Sequence, residues 1–168
     1  MSHLSTTQTT TLRSAILADQ TAAAMYATGN LTGLAAWLNA LATPDFYYWR
    51  PNVGVDEMEN AWVGTDIDGM SALNMQRLQL QLLLTTSRSG VFDMSRADRR
   101  AGFENPFGTN QSNASRVAMR ALWKRKATRF EKLFATGTGS DASPAVLGLD
   151  DSGQYLQGAV PYTELEGL

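Results

Sequence analysis

The 168-residue sequence lacks cysteine altogether and has a single histidine, His3. Without cysteine there can be no disulfide bonds, thiolate nucleophiles or thiolate metal sites. Catalytic triads, histidine metal sites and histidine acid–base catalysis also lack their central residue, because His3 lies in a polar start that we expect to be disordered. These absences exclude the hydrolytic enzymes that depend on either residue type.

Long apolar runs are missing as well. No stretch of about 18 consecutive apolar residues is present to cross a bilayer. Residues 1–14 have no apolar segment behind a charged start, so we expect no standard secretory signal. A length of 168 residues, 43% of them hydrophobic, fits one globular domain with an appended arm, and we expect no membrane contact.

Positive charge is concentrated in one part of the chain. The formal net charge is −2, but residues 88–132 hold eleven cations and four acids, whereas the tail after Ala135 has five acids and no cation. This asymmetry favours either a nucleic acid beside the basic span or pairing of one copy's acidic tail with the basic span of the next copy. We predict a subunit-interface or DNA-facing role for eight cations: Arg96, Arg99, Arg100, Arg116, Arg120, Lys124, Arg125 and Arg129. Pairing, or a solvated helix face, is favoured over DNA contact because the cations alternate with core positions and no known reader motif surrounds them.

Hydrophobic spacing predicts a mainly α-helical fold, a bundle of about five to six helices over residues 11–136. The polar residues 1–10 are predicted to be disordered. Pro44 and Pro51 bracket an aromatic segment that is expected to be extended rather than helical. The helices are expected at about 12–29, 31–41, 56–62, 70–86, 96–103 and 115–135.

The helix at 70–86 is the most apolar of these. Its stripe of leucines is wide enough to suggest a central helix or an interface helix. Leu80 lies in the middle of the stripe, so we expect Leu80→Asp to unfold or dissociate the protein.

Residues 137–168 are predicted to form a flexible linker and a C-terminal arm. A turn at 150–153 would join two short strands, and strands with free edges invite pairing with another chain. We therefore expect that deleting this segment leaves the helical body folded but unable to join its partner. The residues predicted to bind a partner through the arm are Gly137, Gly139, Pro144, Val146, Leu147, Tyr155 and Leu156.

The remaining motifs predict no catalytic, cofactor or metal site. The sequence TDIDG at 65–69 resembles the opening of a calcium loop, but the position of the closing glutamate is taken by Met75. Asp56, Glu57 and Glu59 could hold magnesium in a nuclease, although acids at the start of a helix are more commonly explained by the helix dipole. We expect a protein that is not an enzyme and keep the metal-dependent enzyme as an alternative.

Four stretches of the chain carry a resemblance to known proteins. They are TLRSAILAD at 11–19, Trp49-Arg50, RAGF at 100–103 and, the most distinctive, KRKATRFEKLFATGTGSDASPA at 124–145. These stretches look like a group of small virion proteins of tailed bacteriophages that are encoded among head and tail genes. The layout of a small helical body with a pliable C-terminal arm is also similar to the head-to-tail adaptor proteins that form a ring under the phage portal.

The resemblance implies a structural protein of the virion neck that resides in the host cytoplasm during assembly. About a dozen copies would form a ring, dock on the portal protein through their C-terminal arms and offer a platform to a tail-side neck or tail protein, with genomic DNA in the channel. A tail-terminator or head-completion protein and a nucleic-acid-binding regulator remain as alternatives.

Overall fold

The computed structural model describes residues 4–86, 90–166 and 168. Within these residues the chain is mostly helical, which confirms the predicted class. The α-helices are α1 (Thr6–Ala18), α2 (Gln20–Ala27), α3 (Leu31–Asn39), α4 (Val55–Asn60), α5 (Gly64–Asp68), α6 (Ala72–Thr86), α7 (Ala97–Glu104), α8 (Ala114–Leu122) and α9 (Arg129–Phe134). Short strands are β1 (Tyr47–Trp49), β2 (Val53–Gly54), β3 (Val91–Phe92) and β4 (Lys124–Lys126), and 3-10 turns occur at Asn105–Phe107 and Tyr162–Glu164. In the described part of the chain, none of the helices has both the length and the apolar character needed to cross a membrane.

The chain divides into two compact units. Unit 1 combines Met1–Tyr48 with Lys126–Leu168, and unit 2 is Trp49–Arg125. The predicted division into one helical body at 11–136 and an arm at 137–168 is therefore wrong, because unit 2 is inserted into the sequence of unit 1. In the strands, β1 pairs with β4, and β2 runs antiparallel to β3.

The N-terminal segment is ordered from Ser5 onward, which corrects the predicted disorder over residues 1–10. The Ser5 hydroxyl accepts a hydrogen bond from the Gln8 backbone N–H (3.1 Å), and the Gln8 side chain accepts one from the Ser5 N–H (2.9 Å). This reciprocal capping box starts α1 in a polar sequence, and the helix then buries Leu12 and Ile16. Residues 1–3 of the same prediction lie outside the described residues.

The C-terminal segment belongs to the core of unit 1. Leu156, Val160 and Leu165 are buried in one cluster with apolar residues of α1, α2, α3 and α9. Leu147 is buried in a second cluster with Tyr48 and Ala127. The prediction of a flexible arm that docks elsewhere is therefore wrong. Gly167 lies outside the described residues.

Two polar side chains hold the irregular backbone of this segment. Glu131 is fully buried; its Oε1 accepts from the Tyr48 hydroxyl (3.2 Å) and the Gly158 N–H (2.9 Å). Asn39 donates to the Val160 carbonyl (2.9 Å) and accepts from the Val160 N–H (2.8 Å). Because buried backbone groups need partners, these long-range bonds allow a segment without regular strands to lie against the helices.

The predicted pair of strands with free edges is also absent from the described residues. The turn at 150–153 exists, but Leu149 and Tyr155 form a single isolated bridge across it. Thr136 and Val146 form another isolated bridge. Gly139 is buried with a φ of +65°, and an added Cβ would fall 2.1 Å from the Phe46 ring, so this glycine serves close packing rather than flexibility.

The long helix predicted at 115–135 is broken into two. α8 ends at Leu122, β4 follows, and a new capping box at Thr128 and Glu131 starts α9. The pattern Thr-x-x-Glu is a helix-start signal, and it outweighs the apolar spacing that runs through the break.

Unit 2 has its own core. Phe92 and Phe103 pack edge to face at 4.7 Å between ring centroids, and Trp123 is fully buried with its indole N–H 3.0 Å from the Met58 sulfur. α6 contributes Leu78 to this cluster.

Candidate functional site

α6 carries an exposed apolar surface. Leu73, Leu80, Leu83 and Leu84 are exposed by 58%, 55%, 65% and 45%, and we call these four residues the leucine face. At about 100° per residue, Leu73, Leu80 and Leu84 project within about 40° of one another, and Leu83 widens the face. Leu78, the one leucine of α6 that is fully buried among the described residues, points to the opposite side.

Of the two interpretations of this helix, central or interface, the central one is therefore wrong for Leu80. Leucines occur on both sides of α6, and unit 2 uses the side with Leu78 and the half-buried Leu82. The predicted apolar stripe is real, but its main line faces away from the core of its own unit.

The leucine face is almost free of charge. Between Ser71 and Thr86 the only ionisable residue is Arg77, whose Nη1 donates to the Asn74 side chain at 3.3 Å. The exposed fractions of the four leucines add up to roughly two whole side chains, which burial would stabilise by about 1.5–3 kcal/mol each. Contact with another apolar surface of similar size would roughly double this gain and bring it into the range of the association cost, about 4–15 kcal/mol.

The predicted basic span is used mostly inside its own unit. Arg116 is 5% exposed, and its Nη2 lies 2.7 Å from Glu104 Oε2. Arg120 binds the same carboxylate through two hydrogen bonds of 2.6 and 2.7 Å, and Arg116 also donates to the Gly108 carbonyl. The prediction of an interface or DNA-facing role is wrong for Arg116, because burial withdraws its charge from any external partner.

Burial opposes ionisation of Glu104, but the hydrogen bond and charge of Arg120, together with Arg116, outweigh it. The pKa of Glu104 therefore lies below its ordinary value of 4.5.

Arg100 is also committed to contacts within unit 2. Its guanidinium lies 4.1 Å from the centroid of a Trp49 ring and donates to the carbonyls of Met94 (2.6 Å) and Ser95 (2.9 Å). Burial lowers the pKa of Arg100, and the nearby carboxylates, Glu104 first, oppose this shift. These contacts give Arg100 a structural role within unit 2, and its subunit-interface or DNA-facing role stays a prediction.

The other predicted cations are scattered. Arg96 forms an exposed ion pair with Asp98 (2.7 Å), and Arg99 lines a cavity of about 230 Å³ beside Leu84. Lys124 and Arg125 belong to β4, and Arg129 is in unit 1. Of the eight predicted cations, seven lie in unit 2 and Arg129 lies in unit 1.

The predicted arm residues have structural positions. Leu147 and Leu156 are buried, Pro144 is buried, and Val146 remains 37% exposed. Tyr155 is half-buried and lines an open cavity of about 620 Å³ with Asp150 and Glu164. The exposed Gly137 has a φ of +125°, and an added Cβ would lie 3.2 Å from the Ala145 Cα.

The acidic motifs have ordinary structural partners. Glu57 binds Arg50 (2.9 Å) and caps α4 at the Gly54 N–H (2.8 Å); this backbone hydrogen bond is the main reason why the pKa of Glu57 is lowered. Asp66 accepts from the Ser115 N–H (2.9 Å) and hydroxyl (2.8 Å), which lowers its pKa. Within residues 4–86, 90–166 and 168, no group of three or more histidine or acidic side chains is arranged to hold a metal ion.

Replacing Glu104 should destabilise unit 2. Glu104→Gln leaves the buried guanidinium of Arg116 without its counter-charge, and we expect the free energy of unfolding to fall by about 3–5 kcal/mol. Urea denaturation measures this loss, with Asp98→Asn as the control because its ion pair with Arg96 is exposed. Equal small losses in the two variants would contradict the structural role of Glu104.

The lowered pKa of Glu104 also predicts how the stability of unit 2 depends on pH. Because its pKa is lowered by folding, Glu104 contributes its stability above the ordinary pKa of 4.5 and loses it as the pH falls through the lowered value. The difference in stability between the wild type and Glu104→Gln should therefore narrow under acid conditions.

No family model, curated protein or solved structure matches the chain.

Proposed function

We propose that this protein is a structural subunit of a tailed-bacteriophage virion, a head-to-tail connector that forms a ring between the portal and the tail. The leucine face of α6 is the observation that carries the proposal, because a contiguous exposed apolar surface is typical of a protein–protein contact. The resemblance of residues 124–145 to small phage virion proteins supports the virion context.

Ring formation requires the leucine face to contact a different surface of the next copy. A closed ring is built from heterologous contacts, whereas two identical faces would give a dimer. Unit 1 offers apolar side chains for such a contact: Leu17, Leu41, Leu149 and Tyr162 are each about half exposed. The acidic residues of the C-terminal segment and the exposed Arg77 would then favour one register over others.

Release of residues 137–168 has no part in this proposal. Their side chains complete the core of unit 1, so pulling them out would expose that core. Contacts with the portal and with a tail-side protein would use surfaces of the folded units.

Native mass spectrometry and electron microscopy of the purified protein test this function. We expect a closed assembly of about a dozen copies, as the resemblance implies, or a monomer that forms this ring when portal protein is added. A chain that stays monomeric at its highest soluble concentration and in the presence of portal protein would contradict the proposal. A different ring size would favour a tail-terminator or head-completion role.

A nucleic-acid-binding regulator is less well supported. Arg100, Arg116 and Arg120 are engaged in contacts within unit 2, which removes much of the charge on which that function depended. Binding of free duplex DNA by monomers, with a steep salt dependence, would favour the regulator over the connector.

A further inference from the structure

Unit 1 contains an open pocket of about 460 Å³ beside α1, α3 and α9. Its apolar lining includes Ala15, Leu133 and the half-buried Trp37. Arg129 and Lys132 also line it. The pocket thus combines an apolar surface with two cations from one short helix.

Arg129 is held in a fixed position. The centre of its guanidinium lies 4.7 Å from the centroid of a Trp37 ring, and its Nη1 donates to the Trp37 carbonyl at 3.0 Å. Nε and Nη2 make no hydrogen bond to the described residues. These two nitrogens form the edge that binds a carboxylate through two parallel hydrogen bonds, so the side chain is oriented for such a ligand before the ligand arrives.

Lys132 adds a second cation without a counter-charge. Its Nζ lies 5.6 Å from the Phe46 ring centroid, and within the described ranges neither Lys132 nor Arg129 forms an ion pair. The two residues are three positions apart on α9 and therefore lie on one side of the helix.

Asp19, the acidic residue that lines the pocket, already accepts hydrogen bonds from the backbone. Asp19 Oδ1 accepts from the Thr21 and Ala22 N–H groups, each at 3.0 Å, and so caps α2. The backbone donors at the start of α2 that could hold a phosphate are therefore taken, and the negative charge of Asp19 would repel a dianion more strongly than a monoanion. The local charge of about +1 matches a single carboxylate.

We propose that this pocket binds an acidic, apolar peptide segment of a partner protein, with a carboxylate on the free edge of Arg129 and an apolar side chain against Leu133 and Ala15. Lys132 offsets the negative charge of Asp19, so that the net charge of the pocket is balanced by the single carboxylate of the ligand. The residues that line the pocket include none of those proposed for the ring contact, so the binding test does not depend on ring formation.

Small probes test the pocket in the full-length protein. N-acetyl-leucine supplies a carboxylate next to an apolar side chain, N-acetyl-leucinamide lacks the charge, and phenyl phosphate supplies the competing anion. In ¹H–¹⁵N NMR titrations we expect saturable shifts of the Trp37 indole N–H and the Arg129 Nε–H with the carboxylate. The amide should bind about tenfold more weakly or worse, because it loses charge-assisted hydrogen bonds.

Variants locate the binding to Arg129. Arg129→Gln should abolish the shifts, Arg129→Lys should weaken binding because it keeps the charge but loses the two-donor edge, and Arg13→Gln on the exposed side of α1 should leave binding unchanged. If Arg129→Gln perturbs the fold, the test rests on Lys132→Gln and Arg129→Lys, and both variants should bind N-acetyl-leucine more weakly than the wild type does. The proposal is overturned if no saturable shift occurs, if the amide binds equally well, if phenyl phosphate binds more tightly than the carboxylate, or if the variants at Arg129 bind as the wild type does.

Discussion

A chain that ends at Thr136 should fail to fold unit 1. The deletion removes Leu147, Leu156, Val160 and Leu165, which are at most 3% exposed. Burial of each contributes about 1.5–3 kcal/mol, and the sum is comparable to the whole stability of a typical domain, about 5–15 kcal/mol. We expect the amide signals of α1–α3 in an NMR spectrum to collapse to the range of an unfolded chain.

A single substitution should cause a smaller loss of stability in unit 1. Leu156→Ala removes one buried side chain and should lower the free energy of unfolding by about 2–5 kcal/mol without abolishing the fold. The truncated chain could instead keep a native-like spectrum and a cooperative melting transition for unit 1. That result would contradict the placement of residues 137–168 in the core of unit 1 and would support the predicted flexible arm.

Leu78→Asp should unfold unit 2, whereas Leu80→Asp should leave it folded. Leu78 is 1% exposed in the core of unit 2, so a carboxylate there would be buried without a partner at a cost of several kcal/mol, and unit 2 should unfold. Leu80 is 55% exposed, and the same substitution should change the free energy of unfolding of the dissociated single chain by no more than about 0.5 kcal/mol.

Denaturation curves of the two variants measure this contrast. The substitutions introduce the same charge two positions apart on one helix, so helix propensity and net charge are matched. Loss of folding in Leu80→Asp, or a stable Leu78→Asp, would mean that α6 presents the other side to the core.

Local patterns located most of the longer helices but not all of their boundaries, and they did not decide which side of α6 is buried. Apolar spacing located α3 and α6, and the two prolines correctly marked an extended segment that contains β1. α6 has leucines on both sides, so its periodicity is compatible with either orientation. Only the shape of unit 2 selects Leu78 for the core.

The C-terminal segment could not be placed from local sequence. Its apolar residues are sparse and separated by glycines, and its main polar anchors are distant in the chain: Asn39 binds Val160 across 121 positions, and Glu131 binds Gly158 across 27. Sequence spacing carries no signal for such contacts. The start of α9, in contrast, was visible in the pattern Thr128-x-x-Glu131, which the continuous helical interpretation overlooked.

The number of cations in residues 88–132 was a poor guide to the positive charge that the protein surface presents. Glu104 pairs with both Arg116 and Arg120, and Arg100 is stacked on Trp49, so a span rich in cations presents fewer of them to a partner than its composition indicates. The two cations of the unit 1 pocket, Arg129 and Lys132, became apparent only when α9 was seen to bring them beside Trp37.

Sedimentation velocity of the wild type and of Leu80→Asp tests the leucine face most directly, with Val117→Asp as the control because it places the same charge on an exposed apolar residue of α8. We expect the wild type and Val117→Asp, alone or with portal protein added, to sediment as an assembly of several copies, and Leu80→Asp to sediment as a folded single chain under the same conditions. If Leu80→Asp sediments as the wild type does, the leucine face is not the surface through which this protein associates.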